Sequence, residues 1–215
     1  MMRIRHLFAA SVIAAGGSEL EAQTSAGLDS ATMNAIAPII QRARASNLPL
    51  DLLYTRARQG QVQRLPASRI EVAVRNYAER LETAQAALAP NPTTPELKAG
   101  VDALQTGVPR ETLSEMRRAA KEGSLAVPLG ILTTLVARGV SVEKASVQVV
   151  ALLQQGASPA HFIALDQRVQ ADVLAGRRPD ESLDLRLKGI FPNLPQSVNA
   201  GDAATLQAGG TKRPR

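Results

Sequence analysis

Residues 66–88 read PASRIEVAVRNYAERLETAQAAL, and the apolar positions in that stretch fall on one side of a helix. Ile70, Val74, Tyr77, Leu81, Ala84 and Leu88 recur at intervals of 4, 3, 4, 3 and 4 residues. That is the beat of a 3.6-residue turn, not the alternation of a strand. Glu71, Arg75 and Glu79 follow one another at intervals of four near the edge of the stripe, where they can pair. A helix with one apolar face needs other helices to cover it, so the question becomes whether the rest of the chain supplies them.

Upstream, Asp29 or Ser30 can cap a helix that carries Met33, Ile36 and Ile40 and runs to about Ser46. Asn47-Leu48-Pro49 interrupts it, and a short helix, LDLLYTRARQ, is predicted to end at Gly60. Downstream, APNPTTP at 89–95 is a firm break. Thr94-Pro95-Glu96 then caps and starts a helix that stops at Gly107, and Pro109 stands where a first-turn proline belongs in a helix stopping near Gly123. A further helix spans about Ala126 to Arg138 and stops at Gly139. Ser141 can cap the next, with Val142, Ala145, Val149 and Leu152, as far as Gly156. Ser158 and Pro159 open another, with Phe162, Leu165, Val169 and Val173, as far as Gly176. Pro179-Asp180-Glu181 opens the last, which fades by Gly189.

Glycines 107, 123, 139 and 156 are spaced 16, 16 and 17 residues apart, and GVPRETL, GVSVEKA and GASPAHF resemble one another. Two such units make about 33 residues, the length of one helical hairpin repeat. The expected fold is all-α: stacked antiparallel helical hairpins, either an irregular helical repeat or a compact multi-helix bundle, with a loose C-terminal tail. The consensus positions of tetratricopeptide and ankyrin units are missing. Val147 and Val150 add to the main stripe of the helix over 141–155, which is therefore expected to be the central, most buried element.

The expected organisation is a signal peptide over 1–22, a helical domain over 28–190, and a flexible tail over 191–215. Within the domain, 28–89 holds the N-terminal helices and 94–190 the repeated hairpins. Arg3 and Arg5 precede the short apolar run Leu7 to Ala15, and cleavage after Ala22 or Ala26 completes a secretory layout. A buried N-terminal helix and a mitochondrial presequence are the competing readings. A nine-residue run is too short to span a bilayer, so no transmembrane anchor is expected once the signal is removed. The expected location is periplasmic or secreted, and a chain without cysteine is compatible with an oxidising compartment. The tail, FPNLPQSVNAGDAATLQAGGTKRPR, is rich in Pro, Gly and small polar residues, with Phe191 and Leu194 able to dock on the body.

Hydrophobic residues make up 45% of the 215 residues and aromatics 2%, so small aliphatic side chains must fill the core. The net charge of +6 survives signal removal, and no segment before the tail forms a dense basic face. Specific nucleic-acid binding is therefore not expected. No cofactor is expected either: the chain has no GxGxxG or GxxxxGK[ST] loop, no cysteine, and only His6 and His161 as histidines. His161, in the first turn of a helix, reads as a cap-region residue rather than a metal ligand or a catalytic base. A serine triad lacks a GxSxG elbow. Glu79, Glu82, Glu96, Glu111 and Glu115 leave paired-carboxylate chemistry open, yet they read better as a solvated face in a chain so poor in aromatics.

The arginines carry one mild positive signal. Arg56, Arg58, Arg64 and Arg69 surround one helix–loop–helix junction, Arg117, Arg118 and Lys121 form a second group, and Arg177 and Arg178 a third. The first two groups are the candidate interaction surface, against the alternative of an ordinary solubilising exterior. The reading is of an exported, non-enzymatic interaction or scaffold module in the cell envelope, whose partner is another envelope protein. Weak contact with anionic lipid or a polyanion is the first alternative, and a wall or glycan hydrolase with paired carboxylates the second.

Overall fold

The structure is a computed structural model that describes residues 27–120 and 123–190. The predicted signal segment, Lys121 and the C-terminal tail lie outside these residues. Among those described the fold is all-α, with antiparallel packing between successive helices. The helices are α1 (Ser30–Ala45), α2 (Leu50–Val62), α3 (Ala67–Ala87), α4 (Thr94–Gln105), α5 (Arg110–Ala119), α6 (Ala126–Ala137), α7 (Val142–Gln154), α8 (Pro159–Leu174) and α9 (Pro179–Ile190). None is long and apolar enough to cross a membrane. The chain divides into two compact units at Glu79/Arg80, within α3.

In the first unit, Asp29 caps α1 by accepting the Thr32 N–H at 2.7 Å. Ile36, Ile40 and Ala43 are buried along α1, and α1 packs on α2. Helix α2 does not stop at Gly60 but runs on to Val62. Gly60 serves close approach instead: a methyl group there would stand 2.8 Å from Ile70 Cγ1. The true stop is Arg64, at φ +56°, with the Leu65 N–H reaching back to the Gly60 carbonyl at 3.0 Å. The six stripe residues, five on α3 and Leu88 just past its end, are all buried across the two units, Tyr77 the least so at 8% exposure. Arg75 pairs with Glu71 as their spacing predicts.

The second unit stacks hairpins. Helices α4, α6 and α8 lie side by side, α5 packs on α7, and α8 packs on α9. Gly107, Gly139, Gly156 and Gly176 end helices with positive φ, and in each case the next N–H bonds back to a carbonyl five residues earlier. Gly123 breaks the series. Helix α5 ends at Ala119 with an extended Ala120, so Gly123 belongs to the connection and not to a helix end. Pro109 is the residue before α5, not its first, and Thr93 rather than Thr94 caps α4.

The centre of this unit is α6, not α7. Leu125, Leu129, Leu132 and Leu135 are wholly buried, because α6 has α4, α7 and α8 around it. Helix α7 buries Ala145, Val149 and Leu152, but Val147 is 59% exposed. Nearly continuous apolarity in its sequence therefore reflects an apolar outer surface, not burial on every side.

Two helix starts are capped from elsewhere in the fold. Leu125 precedes α6 and has no capping side chain; its N–H is taken at 2.8 Å by the Glu96 carboxylate of α4. Ser141 stands at the cap position of α7 without capping it through its own side chain, and its N–H is taken at 3.1 Å by Asp180 of α9. Lys144 then reaches Asp184 at 2.6 Å, which joins α7 to α9. Arg138, at the end of α6, forms a two-pronged pair with Asp166 of α8.

Candidate functional site

Arg117 and Arg118 are neighbours in sequence with different fates. Successive residues on a helix point about 100° apart, so one side chain faces α4 while the other faces α7. Arg117 binds the Glu96 carboxylate at 2.6 Å. Glu96 also accepts the Thr93 N–H at 2.8 Å, the Thr93 hydroxyl at 2.9 Å and the Leu125 N–H. Burial alone would raise the Glu96 pKa. The Leu125 and Thr93 N–H groups, then Arg117 and the Thr93 hydroxyl, outweigh it and bring the value down to about 2. A carboxylate so fully occupied is ionised at neutral pH and has no proton to donate. Its work is to fasten α4, α5 and α6 together.

Arg118 opens onto a groove between α5 and α7. The groove encloses about 410 Å³ and is lined by Glu115, Arg118 and Ala119 from α5 and by Val150 and Gln154 from α7. Ala119 and Val150 supply an apolar floor, and Glu115, Arg118 and Gln154 a polar rim. Val147 lies one turn before Val150 and extends the apolar edge outward. Glu115 and Arg118 are three residues apart, the spacing at which opposite charges on a helix usually meet. Here neither makes an ion pair or hydrogen bond among the described residues. By contrast, Lys98–Asp102, Arg110–Glu111, Arg117–Glu96, Arg138–Asp166, Lys144–Asp184, Arg178–Glu181 and Arg186–Asp172 are all paired in the same unit.

The other arginine group is less convergent. Arg56 and Arg58 project about 200° apart around α2, with Ala57 buried between them. Arg58 donates to Thr55 at 3.1 Å, and Arg56 lies 3.5 Å from Gln59. Arg64 ends α2, and Arg69 is exposed near the start of α3. In the third group, Arg178 pairs with Glu181 at 3.5 Å.

The remaining candidates have structural tasks. Glu111 is held below the usual carboxylate range by its own N–H and then by Arg110. The Nδ1 of His161 accepts the Ser158 N–H at 3.1 Å, closing the start of α8. Among the described residues no cluster of His, Asp or Glu could hold a metal ion.

Sequence reasoning named Arg118 as surface, Glu115 as a candidate carboxylate and Val150 as buried stripe, and did not bring them together in one groove. Val150 and Gln154 come from the next hairpin but one helix, and their nearness to α5 depends on the stacking order. No protein-family model, curated protein or solved structure matches this chain.

Proposed function

We propose that this chain is an exported, non-enzymatic interaction module of the cell envelope, and that it holds a partner protein in the groove between α5 and α7. The observation that carries the reading is the groove itself: an apolar floor with three polar side chains around it, between two packed helices. A groove with an apolar floor and a polar rim matches the general build of a protein contact surface. The stack of hairpins supplies what a scaffold needs, a continuous packed core with helix faces left open on its surface. The N-terminal Arg3, Arg5 and apolar Leu7–Ala15 support export. The polyanion or lipid alternative is weaker, because Arg56 and Arg58 diverge.

The test is a crosslinking pull-down of the tagged full-length protein from its native cells, combined with fractionation. A specific envelope protein should be recovered, and Arg118→Glu with Val150→Ala should abolish its recovery at unchanged melting temperature. A cytoplasmic protein that captures nothing would sink the reading.

A further inference from the structure

The main chain just before α1 is held by a side chain more than thirty residues further on. The Gln61 amide of α2 donates to the Gly27 carbonyl at 3.0 Å and accepts the Asp29 N–H at 3.1 Å. Resting on the export reading above, we infer that the Ala26–Gly27 bond is the one a signal peptidase cuts, and that Gln61 is the clamp for the N-terminus so created. Hydrolysis adds water across that bond: Ala26 leaves with the leader as a carboxylate, and Gly27 keeps the new α-amino group.

Three observations lead there. First, the cut needs small side chains one and three residues before it. Thr24 and Ala26 meet that need, whereas a cut after Ala22 places the bulky Leu20 at the third position. Second, the clamp fixes how far processing can go. Gln61 spends both its amide oxygen and its amide nitrogen on the main chain of residues 27 and 29. A cut beyond Gly27 removes the carbonyl that it holds, and a cut at Ala26 keeps it. Third, the gripped residue is a glycine at φ +92°, where an added Cβ would meet nothing within 4 Å. Its backbone conformation, not crowding, calls for glycine there. That bend carries the chain past Gln61 and into Asp29, whose carboxylate caps α1 at Thr32. A chain beginning at Gly27 is therefore tied from its first carbonyl onward, at the place where termini are otherwise loose and open to proteolysis.

The experiment reads the N-terminal sequence of the tagged full-length protein, recovered from its native cells, by mass spectrometry. It should begin at Gly27. Ala26→Phe alters a residue that leaves with the leader, so it cannot disturb the mature fold. It should accumulate the precursor or move the start to Gln23. Gln61→Met keeps the length of the side chain and removes both hydrogen bonds. Incubated with an aminopeptidase, the mature variant should lose residues 27–29 about tenfold faster than wild type, the effect of releasing two hydrogen bonds of ordinary strength. Val62→Ala, at the exposed neighbouring position, should be trimmed at the wild-type rate. A native start at Gln23, or a start at Gly27 in Ala26→Phe, overturns the inference and leaves export standing. Equal trimming of Gln61→Met and wild type overturns the clamp. Chains that keep residues 1–22 overturn the inference and the export reading together.

Discussion

Glu96 shows how much one side chain can organise. Its carboxylate completes a capping box with Thr93, caps the start of α6 through Leu125, and neutralises Arg117. Glu96→Gln removes the charge and keeps the shape, leaving the part-buried Arg117 beside a neutral amide. Breaking the pair this way costs about 3 kcal/mol, measurable by urea unfolding at pH 7. The pH dependence has a definite sign. The folded-state pKa is lowered from 4.5 to about 2, so the stabilisation is complete above about pH 4.5 and is lost as pH falls toward 2. By linkage it amounts to about 3 kcal/mol. The difference between wild type and Glu96→Gln should therefore shrink across that window, and a constant difference would refute the assignment. Arg64 offers a second residue-level test. Its φ of +56° suits glycine better than arginine, so Arg64→Gly should stabilise by about 1 kcal/mol. A loss of stability would mean that the arginine side chain contributes more than its backbone strain costs.

At the scale of the element, glycines inside helices divide by what surrounds them. Gly60→Ala drives a methyl group against Ile70 and should destabilise by about 1–2 kcal/mol. Gly130, within α6, has nothing within 4 Å of the same added atom. Gly130→Ala should stabilise by about 0.5–1 kcal/mol. Thermal melts of the two variants check both signs. Helix α7 provides another contrast: Val149→Asp buries an unpaired carboxylate and should unfold the second unit, whereas Val147→Asp should be nearly neutral, within about 0.5 kcal/mol. Equal melting temperatures for those two variants would show the burial pattern to be wrong. The same elements show what was legible in the sequence. The stripe of α3 was readable because the spacing of apolar residues along one helix is a local property. Gly60 was misread because a glycine that lets Ile70 approach looks, in sequence, like a glycine that ends a helix. The burial of α6 over α7 was hidden for a related reason: both are apolar, and only the stacking order decides which has helices on three sides. Arg118 was legible as a charge, but its groove needed Val150 and Gln154 brought in from a different hairpin.

Across the whole molecule, stability should follow the packing order of the hairpins. In native-state hydrogen exchange, the amides of α6 should be the slowest in the second unit and those of α9 among the fastest, since α6 is enclosed by three helices and α9 closes the described stack. Protection in α9 equal to that in α6 would show that the stack opens only as a unit. The neighbouring ion pairs reinforce that order, since Arg138–Asp166 and Lys144–Asp184 each tie one hairpin to the next.

The borrowed helix caps bear on how such a chain can change over time. A repeat whose every helix carried its own start signal could be duplicated, deleted or shuffled as a cassette. Here the hairpin of α6 and α7 draws one carboxylate from the preceding hairpin and one from the following hairpin. Cut out and pasted elsewhere, it would arrive without either carboxylate, so lineages of this fold should lengthen by growth at the ends rather than by copying the middle.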